Sequence, residues 1–321
     1  LWVPQQPLVA LVDAAARDKG SIGPVLAYHR SSGIRGSGAD SEGGMVDARE
    51  AEDEAYWRRG HSTNLVGLPT GLLASVAFNE AAPEMHIAGV REANARLFAM
   101  LDAAGDAAEA AQRFEDYMTV VFGLDPERTR SADAGGPRRY RASYLRLLRG
   151  WAFDSNNAEG AVLKGWVESR FGLFPTYHKE PLRRFSSPAW CRYIEEKMGT
   201  RFHSNAIFAQ LDLLYEYAQW WFRRFDAGRR HLTLYRGVSD YDEHHLVART
   251  TRRDVVLRLN NLVSFTAERD MAGWFGDFIL EARVPVAKIL FCNALLPQYP
   301  LKGEGEVLAI GGDYRVTAST L

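Results

Sequence analysis

The feature that most constrains the fold is a change of hydrophobic period near residue 230. From about residue 90, apolar residues recur at helical spacing in Arg91–Leu101, Asp106–Phe122, Tyr140–Trp151, Gly160–Phe171, Ala189–Met198 and Ser204–Phe225. From 231 onward the runs 231–238, 254–266, 278–284, 286–292, 305–311 and 313–319 are short, rich in β-formers and bounded by turn residues. Helices followed by strands do not interleave as βαβ units. The expected fold class is therefore α+β, a helical region packed on a mainly β core.

Residues 31–54, with the run Ser-Ser-Gly-Ile-Arg-Gly-Ser-Gly and a charged stretch after it, have the composition of a flexible linker. Gly36-Ser37-Gly38 follows no strand and opens no helix, which excludes a dinucleotide-binding turn there. The chain thus reads as an extension over 1–58 and one domain over 59–321, mainly helical to 230 and mainly β from 231 to 321. Net charge is −1, so no global basic field draws the protein to nucleic acid or to an anionic membrane. Arginine pairs such as Arg183-Arg184 and Arg252-Arg253 are either docking patches or solvated faces. The two cysteines, Cys191 and Cys292, have no metal-ligand spacing, and no metal is expected. Ser239 or Asp240 reads as the cap of a helix running to Arg249, which accounts for the acidic residues beside His244 and His245 without a metal. The beginning of the sequence lacks a signal pattern, and the apolar stretch around 65–78 is interrupted by Gly67, Pro69 and Gly71, so the cytoplasm is the expected compartment.

Three short runs carry chemistry. Tyr235-Arg236-Gly237 closes the first strand; an arginine fork there suits phosphate oxygens two at a time, and the glycine permits close approach of a ligand to the backbone. Taken alone, such an arginine is more simply paired to a surface carboxylate. In Ser264-Phe265-Thr266 the period of two places both hydroxyls on one face and Phe265 in the core, although Thr266 also fits the start of the short helix that follows. Glu304-Gly305-Glu306 puts two carboxylates at i and i+2 on the rim of a strand; by itself it is more simply a solvated loop.

In this order the runs resemble the Arg–Ser–Glu signature of mono-ADP-ribosyltransferases, with Thr266 where many members carry a second serine. Longer strings, Gly60–Pro69, Ala77–Glu80, Leu147–Trp151 and Gly160–Leu173, are similar to the dinitrogenase reductase ADP-ribosyltransferase family from about residue 60 onward. The resemblance implies a core with a split NAD-binding cleft and NAD as substrate. It implies NAD contacts at Arg236, Gly237, Ser264, Thr266 and Phe275, a catalytic Glu306 against the ribose, and an acceptor-selecting Glu304 that favours arginine over asparagine or cysteine. It further implies dinitrogenase reductase as the acceptor, a PII signalling protein as regulator, and roles for His61 or His178 that stay open. Two other readings share these residues: a transferase or NAD glycohydrolase with a different acceptor, and a catalytically silent binding module.

Overall fold

The computed structural model describes residues 63–124, 143–199, 205–239, 244–298 and 306–320. Glu304, His61, Asp240 and the extension over 1–58 lie outside the described residues. The helical part comprises α1 (Thr70–Ala74), α2 (Val76–Ala81), α3 (Val90–Ala93), α4 (Ala95–Asp102), α5 (Ala107–Phe122), α6 (Tyr144–Phe153), α7 (Ala158–Phe171), α8 (Pro188–Lys197) and α9 (Asn205–Phe225). Local chemistry sets several of the starts. Asp106, Ser143, Asn157 and Ser187 each accept a backbone N–H from three residues on, at the heads of α5, α6, α7 and α8. The single helix expected over Arg91–Leu101 is instead two, parted at Asn94, whose amide donates to Val90 O. Helix α7 is buried from Gly160 to Glu168 because α6 and α8 cover it.

A two-residue hairpin, β1 (Tyr177–His178) and β2 (Glu180–Pro181), separates α7 from α8. The remaining strands are β3 (His231–Val238), β4 (His245–Arg249), β5 (Asp254–Thr266), β6 (Phe278–Pro285), β7 (Ile289–Cys292) and β8 (Glu306–Thr320), with the short helix α10 (Arg269–Ala272) after β5. They form an antiparallel sheet in the order β4-β5-β3-β6-β8-β7, with β5 also paired to β8. Strand β8 is central. One edge pairs with β5 along most of its length, and the other meets β7 near its start and β6 near its end. Strand β3 pairs with β6 throughout but touches β5 only at Tyr235 and Thr266. The pairings close into a circuit, and a split opens between β3 and the neighbouring edge. The fold is α+β, and one hydrophobic cluster runs from Leu72 through α9 to Ala318.

Two further expectations are corrected. Residues 245–249 form an edge strand, β4, rather than the end of a helix from Asp240; the outer edge of β5 offers backbone partners, and Leu246-Val247 suits an extended chain. The separate strands expected over 305–311 and 313–319 are one continuous β8, which passes through Gly311-Gly312. These glycines mark crowding, not a turn. A Cβ on Gly311 would lie 1.6 Å from Asn260 O, and Gly312 has φ +118° with the Ala74 backbone against it. The register of β5 slips opposite them, between Leu259 and Leu262. At that bulge Asn261 donates to Lys164 O and Leu173 O, while Asn260 bonds Thr176 N and Tyr177 O, so the irregularity fastens the helical layer to the sheet. Two lysines are buried nearby. Lys164 donates to Asn156 and Tyr177 O, Lys288 donates to Gly311 O between the rings of Phe78 and Tyr314, and burial pushes both ammonium groups down to about 7.

Candidate active site

The site lies where β3 leaves β5. Thr266 is paired to Tyr235 on one side and to Glu306 on the other, so the last residue of β5 joins the three motif-bearing strands. Arg236 is the next residue on β3. Its Nη1 donates to Ser264 O at 2.9 Å, and its Nε is buried without a partner among the described residues. Burial lowers its pKa from the usual value, yet an arginine stays charged at any physiological pH. Among the described residues no carboxylate forms an ion pair with it. A half-buried cation of this kind is completed by an anion, and a diphosphate is a fitting one.

Ser264 supplies the second element. Its Oγ accepts from Trp151 Nε1 at 2.7 Å and lies 2.8 Å from Glu306 Oε1. An indole N–H only donates, so the serine proton is directed at the carboxylate. Phe265 packs in the core, as the alternation requires. The Thr266 hydroxyl accepts from Glu268 N at 3.1 Å in the turn after β5; Glu268, not Thr266, holds the cap position of α10.

Gly237 lies against the turn formed by α10 and Gly273–Phe275. A Cβ there would come within 1.9 Å of Ala272 O and 3.1 Å of Phe275 Cβ, so only glycine fits. Phe275 is 70% exposed, and Trp274 beside it is 76% exposed, both free to cover a ligand. The split between β3 and the edge opposite is a cleft of about 630 Å³. Leu234, Ala267, Asn293 and Glu306 line it, with Trp221 and Phe222 of α9 as a wall. The aromatic stripe of α9 is thus divided: Tyr215, Tyr217 and Trp220 are core, and Trp221 borders the cleft.

Glu306 is the carboxylate of the site. Burial pushes its pKa up, and the hydrogen bond from Ser264 opposes that shift. Its Oε2 has no partner among the described residues. His178 lies behind the site, with Nδ1 3.3 Å from Lys164 Nζ and Nε2 2.9 Å from Glu196. Trp151 is the site neighbour that sequence reasoning passed over; the available signal was that a buried indole N–H needs an acceptor. Among the described residues no group of three His, Cys, Asp or Glu side chains is placed to hold a metal, and no helix is long and apolar enough to cross a membrane.

The family model for dinitrogenase reductase ADP-ribosyltransferase (DRAT) matches residues 63–318. The NAD(+)–dinitrogen-reductase ADP-D-ribosyltransferase of Rhodospirillum rubrum is 62% identical over 265 residues, spanning 82% of this chain and 96% of that relative. No solved structure matches.

Proposed function

Since this chain belongs to the dinitrogenase reductase ADP-ribosyltransferase family, we propose that it moves ADP-ribose from NAD onto an arginine of dinitrogenase reductase and so switches nitrogen fixation off. The chain is an NAD-dependent ADP-ribosyltransferase. The observation that carries the assignment of residues is the hydrogen-bonded set Arg236–Ser264–Glu306 at the split between β3 and β5. Arg236 meets the diphosphate, Gly237 lets the turn that carries Phe275 close against β3 beside it, and Phe275 covers the ligand. Thr266 supports the floor of the site. Glu306 accepts from a ribose hydroxyl and stabilises positive charge at the anomeric carbon as the glycosidic bond breaks and its electron pair leaves with nicotinamide. An arginine nitrogen then bonds to that carbon. Glu304 orients the guanidinium and takes its proton, which an arginine otherwise keeps at any physiological pH. A PII signalling protein is the proposed regulator, and the cytoplasm the proposed compartment.

The test uses NAD labelled in its adenylate part, purified dinitrogenase reductase and the full chain, with nicotinamide and labelled protein scored together. Label on an arginine supports the proposal. Nicotinamide without label moves the acceptor elsewhere, and neither product removes the assignment. Glu304→Gln is expected to lose transfer while still releasing nicotinamide to water; unchanged transfer would remove Glu304 from its role.

The raised pKa of Glu306 gives a pH expectation. The working form is the carboxylate, so activity is full above that pKa and is lost as pH falls through it. The acid limb of kcat for nicotinamide release should therefore lie above the ordinary glutamate range. A limb at or below that range would show that the group titrating there is not a desolvated Glu306.

A further inference from the structure

Behind the catalytic carboxylate a side chain of the helical layer reaches Ser264 on the sheet. Trp151, near the end of α6, is 4% exposed, and its Nε1 is 2.7 Å from Ser264 Oγ. The ring is held from several sides. Asn157 donates to Gly150 O at the α6–α7 turn, and the Lys164 ammonium stands 5.8 Å from the ring centroid. That ammonium is itself fixed by Asn156 and Tyr177 O, while Lys164 O accepts from Asn261 of β5. Helix, lysine and strand therefore fix the indole relative to Ser264.

We infer that Trp151 is a positioning residue for the transfer reaction, acting through Ser264 to hold one oxygen of Glu306 and leave the other for the ribose. The inference rests on the reading of Glu306 given above. Its physical content is directional. A serine hydroxyl has one proton and two lone pairs. With the indole N–H on a lone pair, the serine proton is best used on Glu306 Oε1, and donation from the indole polarises the hydroxyl and strengthens that second bond. Without the indole, the hydroxyl is free to turn, and the carboxylate loses the donor that fixes its rotation and favours its charged form.

The chain consequently has a requirement that the Arg–Ser–Glu runs do not contain. It lies 113 residues from Ser264 in sequence. Because Trp151 is buried and is not among the residues that line the cleft, its loss should change turnover and leave NAD binding alone.

The experiment compares wild type, Trp151→Phe, Ser264→Ala and the double variant, reading kcat and KM for nicotinamide release. It also follows the Glu306 carboxyl by carbon-13 NMR titration, assigned with Glu306→Gln. Trp151→Phe is expected to lower kcat about tenfold, the size of one hydrogen bond, with KM for NAD unchanged and the Glu306 titration moved upward. The double variant should be no slower than Ser264→Ala, since both changes remove one coupled unit. Leu147→Ala, a buried change on the same helix, should lower thermal stability without moving the titration. Should Trp151→Phe not fold, 3-benzothienylalanine at position 151 keeps the ring shape and replaces only the N–H. An unmoved titration in that protein or in Trp151→Phe overturns the inference, as do multiplicative losses in the double variant. If wild type released no nicotinamide, the functional reading would fall, and the titration would still decide whether Trp151 acts on Glu306.

Discussion

Glu306→Gln is expected to abolish nicotinamide release and ADP-ribose transfer together, by about a thousandfold or more in kcat, with the melting temperature nearly unchanged. Glutamine has the same size, and its carbonyl can still accept from Ser264, so the packing at the start of β8 survives. What disappears is a negative charge at a site where burial has already raised the carboxyl pKa, which means that water screens the charge poorly. Departure of nicotinamide leaves positive charge on the ribose, and the carboxylate acts on that charge only as it develops. The loss should fall on kcat, because an interaction made mainly in the transition state contributes little to ground-state binding. Both products are affected since bond breaking precedes the choice between an arginine and water. The measurement is nicotinamide release and protein labelling in one reaction, beside a melting curve. A variant within tenfold of wild type, or one changed only in KM, would move the catalytic role away from Glu306.

The parts of this site legible in sequence are those whose cause is local. The bounds of β3 and β5 follow from alternation and flanking turn residues, and Arg236 on β3, Ser264 on β5 and Glu306 at the start of β8 stand out by residue type and position in the sequence. Features with distant causes were not legible. Strand β4 exists because β5 has an open edge, whereas the residues before it read as a helix start. Gly311-Gly312 reads as a break between strands; the backbone of Asn260, some fifty residues earlier, requires small residues there while β8 continues. Helices α1 and α2 span 5 and 6 residues, too short for a helical period to show. Trp151 belongs to the same class as β4, since nothing within α6 indicates that its N–H is directed at a serine on the sheet.

Glu216→Ala should destabilise the protein by about 3–5 kcal/mol, the cost typical of removing one partner from a buried ionic cluster. Glu216 is fully buried on α9, one residue from Tyr215 and Tyr217 of the core. Its carboxylate accepts from Ile87 N at 2.6 Å and Arg91 Nε at 2.5 Å, and it lies 3.0 Å from His86 Nδ1. These contacts bind the segment entering α3 to the helix that walls the cleft. Removing the carboxylate strands a buried backbone N–H and leaves Arg91, whose Nη2 has no partner among the described residues, next to a void. Glu216→Gln should cost less, because an amide oxygen still accepts from Ile87 N or Arg91 Nε although the charge is gone. Urea unfolding of the three proteins measures the order wild type, Gln, Ala. Below the unfolding transition, nicotinamide release per folded molecule should match wild type, since Glu216 does not line the cleft that ends at Glu306. A loss under about 1 kcal/mol in the alanine variant would mean that water reaches Arg91 and Ile87 N once the carboxylate is gone. The opposite dissociation is expected at Glu306, where activity disappears and stability remains, so the two carboxylates distinguish what holds α9 in place from what acts on NAD.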